Sequence, residues 1–542
     1  MRTVTVTDRL GAAIGRSPIG RRITRLSAEL RHRTVPLHWT NLFGVVSAAS
    51  LIVLFVTGLF LMFFYTPSNE TVTYSGSYLP LAGAEMSKAL ESTLHVSFEV
   101  PGGLLARQAH HWAALLLPAS LVMQLLTTFF TGGFRRPRRG MWVLLFLIFV
   151  VTLVGGWSGY ALPDDMLSGT GLRIVEGIAL GIPLIGTWAS WLLFGGEFPG
   201  TVLAHLYPIH IAVVPALLVF LLILRGLAAY QQKPPQFTGP GRSERNVVGV
   251  PVLPTGIARA TGLAFLVVGV ITVISATVTI NPIWLYGPAS TGDASAGSQP
   301  DWYTGFLDGA LRLVPPGWEL VWLDRTWTLA ILVPLGVVTA AFTVVAAYPF
   351  IEEWISGDSR DHHLLDRPRD TPTRTGIGVA GLAFFGILWL AGSADLIAVL
   401  FSLSIEGVIA ALQATLLLGP VVGFELARRV CLGLQRKDRE LVLHGFETGR
   451  IVRLPGGEYV EVHAPIDEEQ RWRIVNAVDQ APVTLRPDER GVITPARRVR
   501  SALSRFFFED RISRRPADAA GAQAIDAAGA AAAEARSGKI HA

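Results

Sequence analysis

The chain has 542 residues, of which 51% are hydrophobic and only 16% charged, with a mean hydropathy of +0.44. A soluble domain usually carries about 25% charge, so an ordinary cytosolic enzyme is excluded, and the apolar content excludes a disordered chain. One cysteine, Cys431, excludes a disulfide framework, a Cys-x-x-Cys-His haem attachment, a zinc ribbon and an iron–sulfur cluster held by this chain alone, while a net charge of +5 fits basic loops of a membrane protein rather than a nucleic-acid binder.

Residues 1–41 form a basic arm containing Arg16, Arg21, Arg22, Arg25, Arg31 and Arg33. It has no apolar core, so no cleavable signal peptide is expected. Eight apolar runs of membrane-crossing length follow, at about 42–65, 104–130, 141–161, 203–224, 260–281, 327–349, 375–400 and 407–430. The predicted class is an all-α integral membrane helical bundle of about eight transmembrane helices with a small soluble C-terminal extension. The basic arm, the loop GGFRRPRRG (132–140) and the loop with Lys233, Arg242, Arg245 and Arg259 share one side if the spans alternate. The third connection carries Asp164, Asp165, Glu176 and Glu197 instead. The positive-inside rule then predicts a multi-pass plasma-membrane protein with both termini cytoplasmic.

Two connections are long, between spans three and four and between spans five and six, and loops of that length are often functional. Within the first, 166–178 and 183–194 read as interfacial helices. Residues 444–463 read as a hairpin around a Pro-Gly-Gly turn. The Ala-rich segment 517–536 is expected to be mobile or weakly helical. The predicted organisation is a basic arm (1–41), a four-helix bundle (42–225), spans five to eight with their long loop (226–434), a cytoplasmic extension (435–500) and a basic, then Ala-rich tail (501–542).

Four of the twelve histidines stand near the mouths of spans: His110 and His111 in the second, His205 and His210 in the fourth. Imidazole in hydrocarbon is costly, which makes such residues functional candidates, the alternative being a hydrogen bond between helices. His110 and His210 lie at matched depth on helices running the same way, an arrangement that suits bis-histidine ligation of haem iron. Arg107 is one turn before His110 on the same face and is placed to pair with a haem propionate or to snorkel to the interface. Gly58 and Gly159 allow close approach of a flat macrocycle, or simply of neighbouring helices. His111 and His205 read as structural, and Cys431 as an inert buried thiol.

Ordered blocks carry a family resemblance: HWTNLFG (38–44), RQAHHWA (107–113), FFTGGFRRPR (129–138), GYALPDDMLSGTG (159–171), IPLIGTW (182–188), LYPIHI (206–211), GPGRSERNVVG (239–249), NPIW (281–284), SAGSQPDWY (295–303), YPFIE (348–352) and LQRKDRELVLHGFETG (434–449). Over roughly residues 36–465 the chain resembles cytochrome b of the respiratory quinol–cytochrome c reductases, most of all the actinobacterial form. The resemblance implies two b haems, one near each membrane face, and an outer quinol-oxidation site around a Pro-Glu-Trp-Tyr motif. Here that motif is Pro300, Asp301, Trp302 and Tyr303. It makes Asp301 the proton acceptor, with Tyr303 as its hydrogen-bond partner and Pro300 and Trp302 at the quinol. The implied partners are menaquinol or ubiquinol, a Rieske iron–sulfur protein, a cytochrome c subunit and membrane lipid, with a homodimer or a pairing with a complete cytochrome b, and no nucleic acid.

The outer haem positions match the family: His110, His210, Arg107, Gly58 and Gly159. The inner ones depart from it. The family's second histidine in the second span falls 14 residues on, a rise of about 21 Å on nearly the same face. Gln124 stands there. Its partner in the fourth span falls on Leu224 or Arg225, the arginine beside an inner propionate is Thr127, and the glycine against the inner ring is Leu145, leaving only Gly44. Arg cannot deprotonate to become a ligand, and a leucine would occupy volume the ring needs. One b haem is therefore expected rather than two, the competing reading being a second haem ligated by Gln124 and water. Without the inner haem about 20 Å of apolar helix separates the outer haem from the cytoplasmic side, and ordinary bifurcated electron transfer is in doubt. Three function classes follow: a quinol-oxidising redox subunit, a single-haem electron-transfer or sensing protein, and a non-catalytic assembly paralogue.

Overall fold

The computed structural model describes residues 17–196, 198–290, 292, 299–475, 481–485, 487, 493–509 and 511–512. Arg16, Glu197, the Ala-rich segment 517–536 and part of the block 295–303 lie outside them.

The basic arm contributes α1 (Pro18–His32), which begins where Ser17 Oγ accepts from the Gly20 amide at 2.9 Å. Ile19, Ile23 and Leu26 are exposed along one of its faces among the arginines. The first long apolar helix is α2 (Leu42–Met62). After a short strand pair, Thr71–Thr73 with Glu85–Ser87, come α3 (Lys88–Phe98), α4 (Gly103–Phe130) and α5 (Arg139–Tyr160). The first long loop holds α6 (Met166–Gly181) and α7 (Gly186–Phe194), at the two places where interfacial helices are read from sequence. Asp165 caps α6 in a reciprocal box with Ser168.

The fourth long helix, α8 (Val202–Gln231), passes through a π-helical turn at Ile209–Val213 just after Pro208. Proline lacks the amide that would continue the ladder, and π turns of this kind concentrate at functional positions. Next come α9 (Ile257–Thr277), the single turn α10 (Ile283–Tyr286) and α11 (Gly305–Arg312). A hairpin of Glu319–Trp322 and Arg325–Thr328 leads into α12 (Leu329–Ser356), followed by α13 (Pro372–Gly392), α14 (Ala394–Leu400) and α15 (Ile405–His444). Beyond the spans lie the hairpin Phe446–Arg453 with Tyr459–Ala464, then α16 (Glu468–Val475) and α17 (Pro495–Phe508).

Among the described residues eight helices are long and apolar enough to cross a membrane, matching the eight runs read from sequence. Several boundaries differ, among them that of α12, which runs to Ser356 past an apolar run ending near 349. Helices α8 and α15 continue to Gln231 and His444, past the apolar runs ending near 224 and 430, because residues such as Gln435, Arg436, Lys437 and Glu440 are good helix formers in water. The run read as 375–400 breaks after Gly392 into α13 and α14.

Helices α2, α4, α5 and α8 pack as a bundle, with α9 laid against α2 and α4. Helices α11, α13 and α15 form a second packed group, joined to the bundle through α12 and α5. At the arginine-rich end the loops are stitched by polar contacts. Arg374, 2% exposed, is paired with Glu352 and with Asp366 at 2.8 Å, and Arg135 holds the same Asp366 at 2.9 Å. Helix α17 returns to this end, where Phe507 O accepts from Thr373 Oγ1 at 2.9 Å and Trp354 O from Arg500 Nε at 2.7 Å.

Candidate functional site

At the acidic-loop end the bundle holds His110 from α4 opposite His210 from the π turn of α8. The ring centroids are 6.1 Å apart with planes at 65°. Each Nδ1 is engaged: that of His110 by Thr57 Oγ1 at 2.9 Å, that of His210 by Gly155 O at 3.1 Å and Ser158 Oγ at 3.2 Å. Second partners of this kind fix ring orientation and leave Nε2 available to a metal. The 6.1 Å separation is close to two metal–nitrogen bonds of about 2 Å plus two ring radii of about 1 Å.

The histidines line a cavity of about 360 Å³, which Arg107 also borders. Arg107 is 9% exposed and donates from Nη2 to Asn281 O at 3.1 Å, whereas its buried Nε has no hydrogen-bond partner. A buried guanidinium nitrogen without an acceptor fits a site that receives an anionic group. The two glycines make room for the histidine rings. A Cβ on Gly159 would sit 2.5 Å from His210 Cε1, and one on Gly58 would sit 3.1 Å from His110 Cε1. The five residues expected at an outer haem thus converge on one cavity.

A second cavity, of about 480 Å³, lies between α5, α6, α11 and α12. Pro300, Asp301, Tyr303 and Asp308 border it, and Asp301, Tyr303 and Tyr160 border both cavities. Asp301 is held from two sides. His111 Nε2 lies 3.0 Å from its Oδ1, and the Tyr303 hydroxyl donates to Oδ2 at 2.8 Å. Burial, then the adjacent Asp301 carboxylate, raises the Tyr303 pKa well above the ordinary tyrosine value, so its hydroxyl stays a donor. Gly156 makes room for this tyrosine, since a Cβ there would lie 2.3 Å from its hydroxyl oxygen. Trp302, expected beside a quinol, stands apart from both cavities. In the turn before α11 its side chain points away from Asp301, donating to Leu115 O at 3.3 Å. His205 Nδ1 hydrogen-bonds at the start of its own helix, to Thr201 O at 3.0 Å and Thr201 Oγ1 at 3.3 Å.

The family's inner haem positions hold side chains packed on one another. Arg225 Nη2 donates to Gln124 Oε1 at 3.2 Å, Gln124 Nε2 donates to Ser47 Oγ at 2.8 Å, and Ser47 lies 2.6 Å from Ser120 Oγ. Leu145 is 2% exposed within a cluster that includes Leu121, Leu125, Leu218 and Leu221. Thr127 turns back onto its own helix at Met123 O. A second ring does not fit these residues. The donor set lacks a ligand pair, and the volume is taken by aliphatic side chains and by an amide–guanidinium bond that ties α2, α4 and α8.

Residues 115–288 match the family model described as "Cytochrome b(N-terminal)/b6/petB". The chain is 44% identical over 510 residues to the "Cytochrome bc1 complex cytochrome b subunit" of Streptomyces coelicolor, covering 91% of this chain and 93% of that protein. It is 44% identical over 445 residues to the protein of the same description from Mycobacterium tuberculosis, with 81% of each covered. Among solved structures, a chain of "Hyperthermophilic respiratory Complex III" aligns with a TM-score of 0.56 at 18% identity, covering 76% of this chain and 98% of that one, a likeness of fold. Identity at this level over most of both chains establishes that the chain, with its eight apolar helices of membrane-crossing length among the described residues, belongs to the cytochrome b subunits of cytochrome bc1 complexes, in their actinobacterial form.

Proposed function

We propose that this cytochrome b subunit oxidises quinol on the acidic-loop side of the membrane, with Asp301 taking a proton from the substrate and one b haem bound between His110 and His210. The observation that carries the reading is the place of Asp301: one carboxylate borders both the histidine cavity and the second apolar cavity. A quinol ring in the second cavity presents a hydroxyl to Asp301, whose orientation is set by His111 and Tyr303. A carboxylate within hydrogen-bond reach of the reacting hydroxyl acts as a general base. Haem held by the two histidines supplies a one-electron acceptor. Arg107 neutralises a propionate, and Gly58 and Gly159 leave room for the ring.

The haem count in this reading is one per chain, supported by the Gln124–Arg225 bond and the packed Leu145. Menaquinol or ubiquinol is the substrate, with a Rieske iron–sulfur protein and a cytochrome c subunit as partners, in a homodimer or beside a complete cytochrome b. The basic loops are assigned to the cytoplasm, together with both termini. The same filled inner site favours a second reading, a single-haem electron-transfer or sensing protein with no transmembrane electron path. A non-catalytic assembly role has less support, since it leaves the joint retention of His110, His210, Arg107 and Asp301 without a cause.

A pyridine haemochrome assay on the purified complex, corrected for the haem of its other subunits, tests the count. One b haem per chain is expected, and two would overturn it. Anaerobic addition of a short-chain quinol tests the activity. Reduction of the b haem that slows at least tenfold in Asp301→Asn supports quinol oxidation, and a haem that quinol leaves oxidised refutes it.

A further inference from the structure

Helix α17 reads PARRVRSALSRFFF, with Arg497, Arg498, Arg500 and Arg505 and no acid between Pro495 and Phe508. Thr494 starts it, its side chain accepting from the Arg497 amide at 3.4 Å, with Pro495 in the first turn. One face is buried in the protein. Ser501, Ser504, Phe507 and Phe508 lie there, where Ser504 Oγ accepts from the Val483 amide at 2.9 Å and Phe507 O from Thr373 Oγ1 at 2.9 Å. A second stripe is apolar and exposed: Val499, Leu503 and Phe506 follow at spacings of four and three residues, which is one side of a helix. At about 100° per residue, Arg498 and Arg505 fall together on the flank between these two faces, and both are exposed.

The exposed stripe lies where a span leaves the bilayer. Phe506 stacks on Phe424 of α15, with ring centroids 6.0 Å apart and planes at 14°. Phe424 follows the first residue of α15, Ile405, by 19 positions, a rise of about 28 Å against a hydrocarbon core of about 30 Å. In the two turns before Phe424, Leu417, Leu418, Val421 and Val422 are exposed apolar residues on the outer wall of that span. Toward its start α17 is pinned to Trp354, near the end of α12. Arg500 donates from Nε to Trp354 O at 2.7 Å, and its guanidinium lies 6.0 Å from the centre of the indole ring. Tryptophan is an interfacial residue of membrane spans. Val499, Leu503 and Phe506 therefore continue the apolar wall of α15 at the point where that wall ends, and Arg498 and Arg505 stand level with lipid headgroups.

We propose that α17 is a membrane-surface helix: its apolar stripe enters the leaflet at the arginine-rich end, and Arg498 and Arg505 bind the phosphates of anionic phospholipids. Two observations choose lipid as the occupant. The stripe is continuous, through Phe506 and Phe424, with a surface that the bilayer already covers. The helix is also purely basic, and guanidinium groups present paired N–H donors to phosphate oxygens. An exposed apolar stripe edged by arginine is the pattern of a helix lying in the plane of a membrane interface. The helix ties the ends of α12 and α13 through Trp354 and Thr373, so an anionic leaflet would tighten the charged cluster around Arg374 from outside the protein.

The test uses the intact complex in lipid nanodiscs, made either of phosphatidylcholine alone or of phosphatidylcholine with about a third phosphatidylglycerol, which gives the surface a strong negative potential. Leu503→Cys, and separately Val499→Cys, carries a nitroxide, while the native Cys431 is buried and label-treated wild type supplies the background. Collisions with oxygen and with a water-soluble nickel chelate report the depth of each label. Both labels are expected to be open to oxygen and closed to nickel in the anionic discs. Chymotrypsin cleavage within α17 is expected to be at least about tenfold slower in the anionic discs than in the neutral ones, because each arginine near an anionic leaflet contributes about fivefold to binding. Arg498→Gln/Arg505→Gln is expected to remove most of that difference with haem content unchanged, and high salt to weaken it in the wild type. Labels open to nickel in the anionic discs would overturn the proposal. Labels closed to both reagents would overturn it too, since they mark a protein on the stripe. Equal cleavage of the wild type in the two lipids, or a lipid difference that the double variant keeps in full, would also overturn it. Should the double variant fail to assemble, the wild type decides through its dependence on lipid charge and salt.

Discussion

His111 Nε2 stands 3.0 Å from Asp301 Oδ1, and this contact joins the residue after one candidate iron ligand to the carboxylate that borders both cavities. The two side chains are 190 positions apart. Adjacent residues on a helix point about 100° apart, so His110 faces the histidine cavity while His111 faces the turn before α11. An aspartate reaches one methylene less far than the family's glutamate, and it is pinned here by His111 on one oxygen and Tyr303 on the other. Replacing His111 by alanine frees one side of the carboxylate. The expected result is a kcat for quinol about 10- to 100-fold lower with KM changed less than about threefold, since misplacement by about 1 Å costs that much. His111→Gln, which keeps a donor at similar reach, should recover most of the loss. Steady-state kinetics of the two variants decide it, and an unchanged kcat in His111→Ala would refute the positioning role.

The two glycines of the histidine cavity are expected to differ in tolerance. A methyl at Gly159 would sit 2.5 Å from a His210 ring already fixed by Gly155 O and Ser158, so the ring has nowhere to swing. At Gly58 the distance to His110 is 3.1 Å, which a shift of a few tenths of an ångström relieves. Gly159→Ala should therefore lose most of its b haem, and Gly58→Ala should retain the larger part. Haem per chain and the Soret absorbance of the purified variants measure this order, and equal retention would contradict it.

The inner half of the bundle should behave as ordinary packed protein. Leu145 is 2% exposed among Leu121, Leu125, Leu218 and Leu221. Leu145→Ala should destabilise the complex by about 2–5 kcal/mol, the usual range for a buried Leu→Ala cavity, with haem content unchanged. A position lining a macrocycle would show the opposite pattern, with haem loss preceding any fall in melting temperature. Thermal unfolding followed beside the Soret band separates the two.

Much of this was legible in the residues. Long apolar runs report spans directly, because a bilayer core demands about 20 residues of them, and a histidine at matched depth in each of two helices has few other uses. The departures at Gln124, Arg225, Thr127 and Leu145 could also be read, since none of these side chains is a usual haem ligand or leaves the room of a glycine. What escaped were pairings between distant polar side chains: His111 with Asp301, Arg374 with Glu352 and Asp366, and Thr373 with Phe507 O. Hydropathy says that such a residue needs a partner but not which loop supplies it. The polar ends of α8 and α15 escaped for a related reason, as helix propensity continues where apolarity stops.

Asp164 sets a pH dependence of stability. It lies outside the spans, with φ at 53°, beside the capping residue Asp165. Burial pushes its carboxyl up to about 6 from an ordinary 3.8, against a hydrogen bond from Ser87 and with a contribution from Asp165. The folded state then holds the proton more tightly than the unfolded chain does. The stability this group contributes is complete below 3.8 and is lost as pH rises through about 6. Asn adopts the left-handed region as readily as Asp, so Asp164→Asn keeps the backbone and removes the titration. Its melting temperature should exceed that of the wild type above pH 7 and change less between pH 4 and 7. Wild-type behaviour in melts across that range would refute the assignment.

The charged cluster at the arginine-rich end is expected to contribute heavily to stability. Arg374 is enclosed by Glu352 and Asp366, and Arg135 also holds Asp366, so the start of α13, the end of α12 and the loop 131–138 meet at one guanidinium. Removing it leaves Asp366 with Arg135, whereas Glu352, itself 5% exposed, loses its ion-pair partner. Breaking a buried pair from one side costs about 3–5 kcal/mol, while replacing both partners with apolar residues is often nearly neutral. Arg374→Met should thus fall in that range, and the double variant Arg374→Met/Glu352→Met should recover at least half of it. Helix α17 should loosen with the single variant, since Thr373 beside Arg374 donates to Phe507 O. Limited proteolysis of the C-terminal segment, read beside the melts, follows that release. A single variant within about 1 kcal/mol of wild type would show that surrounding contacts hold this end without the ion pairs.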